Sequence, residues 1–302
     1  MREIIEFKSV SQALAAMGLE KPMHPLISIF YHRDIKNGST FSGKSIASSF
    51  YIIEYKDGKA GSFNYGRTNY DFEEGTLIFL APGQVLTVDE WEEDDATNGW
   101  TLLFHPDLIR KSHLGQSMKN YSYFSYEVNE ALHISDKEKR VIEDLKDKIV
   151  WEYNQNMDRQ SQKLIVTSLE LLLDYCTRYY NRQFITRENL NSDIITRFEL
   201  LMKSYYDSNK PYENGLPSVK YCGEELNLSP NYLSDLLKKE TGKNTQEHIH
   251  YYVIERAKSR LLNSVDSIAQ IAYDLGFEYP QNFSKIFKKK TGVSPTTFRN
   301  VN

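Results

Sequence analysis

Long apolar runs are missing from this 302-residue chain. No stretch approaches the roughly 18 apolar residues of a membrane-spanning helix. The opening MREIIEFKSV mixes charges into its first turns, where a secretion segment would be apolar. The expectation is a cytoplasmic protein with no membrane partner. Cysteine is almost absent too. Cys176 and Cys222 form no CxxC spacing, which argues against a zinc cluster, and they suit a reducing compartment. Each falls on the apolar side of a predicted helix and reads as a small buried hydrophobe. Positive charge is not in excess: 37 Lys and Arg face 41 Asp and Glu, a net of −4. No paired catalytic carboxylates and no clustered metal-binding histidines stand out. No catalytic residue, metal or cofactor is therefore assigned, and the chain is not read as an enzyme.

What is present is a chain long enough for about two domains, with 40% hydrophobic residues to fill their cores. Its charge is uneven. Residues 190–302 carry 15 Lys and Arg against 13 Asp and Glu, a net of +2, and the remainder nets −6. A net of +2 says little about nucleic acid by itself. The clustering of Lys285, Lys288, Lys289 and Lys290 within six positions says more, given a structural context.

An internal repeat supplies that context. SPNYLSDLLKKETG (229–242) aligns with YPQNFSKIFKKKTG (279–292) at a shift of 50, sharing Pro, Ser, Lys-Lys and Thr-Gly. Just upstream, CGEELNL (222–228) aligns with IAYDLGF (271–277) at a shift of 49, so the second turn is one residue longer. Each copy reads as helix, tight turn, helix. Ser218 and Ser267 stand where a side chain caps a helix start. Val219, Cys222 and Leu226 in one copy, and Ile268, Ile271, Ala272 and Leu275 in the other, share a helix face. Asn227 and Gly276 follow where a left-handed residue ends the helix. Pro230 and Pro280 occupy first-turn positions of the next helix, where a missing N–H costs nothing.

The second helix of each copy turns Leu233, Leu236 and Leu237, or Phe283, Ile286 and Phe287, inward. Its outer stripe is Asn231, Ser234, Asp235 and Lys238 in the first copy, and Gln281, Asn282, Lys285 and Lys288/Lys289 in the second. Amides near a helix start can pair with adenine, and lysines further along can reach guanine or phosphate. Such a stripe on one copy is an ordinary solvated face. The same turn grammar twice favours groove reading. Between the copies, TQEHIHYYVIERAKSRLL (245–262) reads as one helix with Ile249, Val253, Ala257 and Leu261 along one side. Its 18 positions span roughly 27 Å, against roughly 34 Å between successive major-groove faces of B-DNA. Some bending of the duplex would close the difference.

The pattern IAYDLGFEYPQNFSKIFKKKTGVSPTTFR (271–299) resembles the AraC-family signature, and the resemblance covers about 191–302. It implies double-stranded DNA as partner, with RNA polymerase a further possible one. It also implies that outward positions of the reading helices contact bases and phosphates. Matched here, the base-reading candidates are Asn231, Ser234, Asp235, Gln281, Asn282 and Lys285, and the phosphate candidates are Ser229, Lys238, Lys239, Ser284, Lys288 and Lys289. Two residues depart from the pattern. Tyr279 stands where a small capping residue is common. Asp235 is acidic beside DNA, so it either accepts from cytosine or marks a copy that reads less.

Upstream, residues 50–104 read as strands and turns, with FYIIEYK (50–56) before a turn at Asp57-Gly58, then GSFNYG and TNYDFEEGTLIFLAPGQVLTV. EGTLIFLAPGQ (74–84) resembles the cupin-type barrel that precedes the DNA-binding region in many AraC relatives. Metal-bearing cupins cluster their histidines. Here His24, His32 and His105 are scattered, Gln84 follows the Pro-Gly, and the helical His248 and His250 do not share a face. The acidic tract in WEEDDATNGW (91–100) reads as a surface loop. Ser135 and Glu138 form a capping box ahead of a helix with Val141, Leu145, Ile149 and Tyr153 on one face. A second helix, about 160–181, carries Leu164, Leu171, Leu172, Tyr175 and Tyr179. The two helices either cover the barrel or form a dimer contact. A polar loop is expected at 207–218 and a hinge at 181–189.

The expected fold is α+β: a cupin-like sensory β-barrel over 1–134, a helical connector over 135–190, and an all-α domain with two helix-turn-helix units over 191–302. The expected function is sequence-specific transcription regulation by a homodimer controlled by a small-molecule effector. The alternatives are a cupin-type enzyme with an appended DNA-binding domain, and a DNA-binding protein whose barrel docks a protein partner.

Overall fold

Side-chain alternation organises the first half of the molecule. The computed structural model describes residues 4–57, 72–88, 99–155 and 160–301. They fall into two units, Met1–Arg187 and Glu188–Asn302. In the first unit β1 (Ile4–Phe7) and α1 (Val10–Ala16) lead to β2 (Ile27–Tyr31), β3 (Ser45–Ser48), β4 (Tyr51–Asp57), β5 (Gly75–Leu80), β6 (Val85–Thr87) and β7 (Trp100–Phe104). Two short helices, α2 (Pro106–Ile109) and α3 (His113–Ser117), precede β8 (Leu132–Ile134). The strands make two sheets. One has the order β1-β3-β6 and the other, antiparallel throughout, the order β2-β7-β4-β5-β8.

The closed barrel expected from the sequence is not found among the described residues. Among the described residues β2 and β8 remain the edges of the larger sheet, and no ladder joins it to the smaller one. Gly58 of the expected turn, the segments at 61–71 and the acidic tract at 91–98 lie outside the described residues.

The larger sheet is covered on both faces, which is why β5 (GTLIFL) and β7 (WTLLF) are buried at every position. Register assigns the faces. Ile53 lies opposite Phe79 and Leu102, and Tyr55 opposite Leu77 and Trp100, so these share one face. That face meets the helices: Phe79 packs on Tyr180, and Trp100 Nε1 donates to Glu143 at 2.7 Å. The opposite face carries Ile52, Glu54, Lys56, Ile78, Leu80, Thr101 and Leu103, and looks into a cavity that also touches Phe7 of β1, Ile46 of β3 and Leu86 of β6.

The covering helices are α4 (Asp136–Tyr153) and α5 (Ser161–Thr186). The capping box at Ser135 and Glu138 forms as expected. The apolar face of α4 is rotated slightly from expectation: Ile142, not Val141, is buried with Leu145, Ile149 and Tyr153. On α5 the buried face runs through Ile165, Leu169, Leu172, Cys176 and Tyr179. Leu164 and Leu171 are 50% and 45% exposed, so they lie outside that face. Both helices belong to the first unit.

The second unit is all helix: α6 (Glu188–Tyr206), α7 (Lys210–Asn214), α8 (Val219–Leu226), α9 (Pro230–Thr241), α10 (Thr245–Asn263), α11 (Ile268–Asp274), α12 (Pro280–Thr291) and α13 (Pro295–Val301). One core joins them, with Met202, Leu233, Val253, Ala272 and Phe283 among its buried members. The expected loop at 207–218 contains the short α7. Cys176 and Cys222 are both buried thiols, pushed up from their usual values by desolvation. Among the described residues no helix is long and apolar enough to cross a membrane.

Candidate functional site

The two repeats fold into matching helix pairs, and the same side chains build them. Ser218 and Ser267 accept from Tyr221 N and Gln270 N at the starts of α8 and α11. Asn227 closes α8 in the left-handed region, with φ of 58°, and Gly276 follows α11 with φ of +92°. Pro230 and Pro280 open the second helices. Those helices end on Gly242 and Gly292, both left-handed. The shared Thr-Gly has a further use. Thr241 Oγ1 donates to Leu237 O at 2.7 Å and accepts from Lys243 N at 3.3 Å. Thr291 Oγ1 repeats this with Phe287 O at 2.9 Å and Val293 N at 3.4 Å. The caps differ at one point: Ser229 accepts from Tyr232 N, whereas Tyr279 makes no side-chain cap bond.

The connecting helix α10 has 19 residues and opens on a capping box of Asn244 and Glu247. At 1.5 Å per residue it is about 28 Å long. Ile249, Val253, Ala257 and Leu261 are buried along it, so both pairs share its core and their spacing is fixed by packing.

On α12, Gln281, Asn282, Lys285, Lys288 and Lys289 are all exposed, and Ser284 is half-buried. Phe283 and Phe287 are fully buried beneath them. The lysines of the last turn sit where the helix dipole favours cations. On α9, Asn231, Lys238 and Lys239 are exposed. Ser234 and Asp235 are half-buried, and Ser234 Oγ donates to Thr245 Oγ1 at 3.0 Å. Ser229, a phosphate candidate, is only 3% exposed and its hydroxyl serves as the cap. Glu240, beside the lysines, accepts from Asn191 at 2.7 Å.

The signature does not cover what braces the second copy. Tyr205 donates to Gly215 O at 2.9 Å. A Cβ on Gly276 would lie 2.6 Å from the Gly215 carbonyl. The segment from α6 to Gly215 thus packs directly on the turn between α11 and α12. Pairing two glycines far apart in sequence is invisible to periodicity.

The first unit holds an apolar cavity of about 180 Å³ between its two sheets. Its ionisable groups, His32, Glu54 and Lys56, gather beside Thr101, and Ser48 and Thr87 are further polar residues of the lining. His32 Nε2 lies 2.9 Å from Thr101 Oγ1 and 3.8 Å from Glu54, whose Oε1 is 3.4 Å from Lys56 Nζ. Burial pushes the Glu54 carboxyl up, but Lys56 and His32 outweigh it and hold it below the usual carboxylate value. Burial holds His32 below the ordinary histidine value, a shift opposed by Glu54 and aided by Lys56. Sequence reading missed this cluster. Its one signal was alternation, since Ile52, Glu54 and Lys56 share a strand face.

The other histidines lie apart. His24 Nδ1 accepts from Leu26 N and His105 caps α2. His248 meets Thr241, and His250 meets Gln246. Among the described residues no three His, Cys, Asp or Glu side chains converge on a metal position.

Comparison with known proteins agrees with the helix pairs. The family model described as a helix-turn-helix domain matches residues 222–300. The transcriptional regulatory protein YesN of Bacillus subtilis is 35% identical over 85 residues, 27% of this chain and 23% of that protein. The HTH-type transcriptional regulator YijO of Escherichia coli is 26% identical over 232 residues, 74% of this chain and 76% of that protein. The arabinose operon regulatory protein of Salmonella typhimurium is 28% identical over 145 residues, 48% of each chain. The chain therefore spans less than a quarter of YesN and about half of the arabinose regulator.

Proposed function

We propose that the chain, whose residues 222–300 match a helix-turn-helix domain model, is a sequence-specific transcription regulator of the AraC type that binds double-stranded DNA through α9 and α12. One observation carries this reading: two helix pairs with shared caps present polar outer faces from a single core. Mapping the sites bound by the chain across its genome, then measuring binding to one such duplex and to a scrambled copy, tests it. Equal affinity for both duplexes overturns it.

The first unit, in this reading, is a cupin-like sensor. Its support is the cavity held between two facing sheets. Regulation acts on DNA in the cytoplasm. The chain works as a homodimer joined through the outer side of α5, where Leu164 and Leu171 are exposed one heptad apart, with Trp151 of α4 64% exposed. Glutamate at both leucines is expected to turn a dimer into a monomer in sedimentation while the thermal transition stays in place. A wild-type chain that sediments as a monomer at high concentration, both free and on DNA, removes the dimer.

A further inference from the structure

The cavity in the first unit is divided by chemistry. Most of its wall is apolar, with Phe7, Phe41, Ile46, Ile78, Leu80 and Leu86 contributing. Among the described residues the ionisable groups of the wall are His32, Glu54 and Lys56. The Glu54 carboxylate and the Lys56 ammonium are 3.4 Å apart, and His32 is turned to Thr101 at 2.9 Å. Sheet parity explains the gathering: Glu54, Lys56 and Thr101 lie on the inward face of adjacent strands, with Glu54 opposite Thr101 in the register.

Three consequences follow for an occupant. The Glu54–Lys56 pair sets one carboxylate against one ammonium, so a ligand carrying a full charge would add an uncompensated charge to a mostly apolar cavity, at a cost. The ionisable groups lie together, and the hydroxyls of Ser48 and Thr87 elsewhere on the wall are engaged with Phe50 O and Ser45 Oγ, so a sugar with hydroxyls around its ring would leave most of them without partners. The volume is about 180 Å³, slightly more than the roughly 150 Å³ of an engineered cavity that holds benzene. We infer that this cavity takes a single-ring, otherwise apolar molecule with one uncharged hydroxyl, a phenol or cyclic alcohol, whose hydroxyl donates to Glu54 and accepts from Lys56. The inference rests on the sensory reading of the first unit and gives the ligand its chemical class.

The test uses the full chain and four probes of nearly one shape: 4-ethylphenol, ethylbenzene, 4-ethylbenzoate and 4-ethylbenzylamine. Calorimetric titration is expected to show 4-ethylphenol binding at least tenfold more tightly than the other three. The double variant Glu54→Leu/Lys56→Met keeps the cavity and removes its polar pair. It is expected to bind ethylbenzene at least as well as wild type, which also reports that it has folded, and to lose the tenfold preference for the phenol. Tighter binding of the benzoate or the amine overturns the inference. So does a double variant that binds ethylbenzene and retains the phenol preference, or a wild-type chain that binds none of the four. Affinity for the specific duplex, measured with and without 4-ethylphenol, separates the two readings. Binding of the phenol with unchanged DNA affinity leaves the ligand class standing and removes the sensory role.

Discussion

The two helix-turn-helix copies share their backbone devices and differ in the faces they leave outside. Serine caps, a left-handed residue after the first helix, proline at the start of the second and the threonine bonds at its end recur at matched positions. The outer face of α12 carries Gln281, Asn282 and a run of exposed lysines. On α9, Ser234 is tied to Thr245, and the acidic Asp235 and Glu240 stand among the positive charges. Packing and capping constrain the inside of such a unit. The outer face is free to diverge because it contributes little to stability. On the proposed DNA-binding reading, α12 is expected to make the stronger DNA contacts.

The largest expected effect lies where the second copy is more tightly built. Gly276 combines φ of +92° with the close approach to Gly215, so alanine there meets both backbone strain and a clash. Gly276→Ala is expected to destabilise the second unit by about 3 kcal/mol. In the first copy Asn227 has φ of 58°, and Asn227→Ala should cost only about 1 kcal/mol, the ordinary penalty of a left-handed alanine. Chemical denaturation of both variants, followed at the helical signal, checks the difference. Equal losses would mean that the Gly215 contact contributes nothing.

Next come the reading faces. Asn282→Ala is expected to cost about 1–3 kcal/mol on the specific duplex and to relax preference at one or two base pairs. Asn231→Ala, the matched change in the first copy, should cost less. If Asn231 proves the more costly, the ranking of the two copies is reversed. Lys288→Ala should weaken binding to specific and scrambled duplexes alike and lower the salt slope by about one unit. An unchanged slope would remove Lys288 from the phosphate contacts.

Much of this comparison was legible before any coordinates, for a physical reason. Caps and left-handed residues are local, so Ser218, Asn227, Ser267 and Gly276 announce themselves within a few positions. Periodicity also groups residues on one face, which is how the buried side of α10 emerged. It does not say what covers that face. On β4 the alternation separates Ile52, Glu54 and Lys56 from Ile53 and Tyr55, and either set could have faced solvent. Only the register with β5 and β7 shows both faces covered and the charged set turned into a cavity. The same limit applies to Leu164 and Leu171: both suit an apolar face, yet α5 buries the adjacent stripe. The brace between Gly215 and Gly276 depends on a contact across 61 positions, for which neither residue carries a local signal.

The smallest expected effect separates structure from recognition at one shared residue. Ser234 and Ser284 occupy the same place in the repeat. Ser234 Oγ donates to Thr245 Oγ1, the first residue of α10. Fifty positions on, the residue matching Thr245 is Pro295, which opens α13 and has no hydroxyl to accept a bond. The two serines therefore have different surroundings despite identical spacing. Thr245 is fully buried, so Ser234→Ala should cost about 0.5–1.5 kcal/mol of stability, the usual net value of one hydrogen bond, and leave DNA affinity nearly unchanged. Ser284→Ala should leave stability within about 0.5 kcal/mol of wild type and weaken binding to all duplexes slightly and equally, as the loss of a hydroxyl–phosphate contact would. Denaturation midpoints and duplex titrations on the two variants read both quantities. Should Ser234→Ala weaken DNA binding more than Ser284→Ala while stability holds, the bond to Thr245 does not withdraw Ser234 from recognition, and the first copy reads as much as the second.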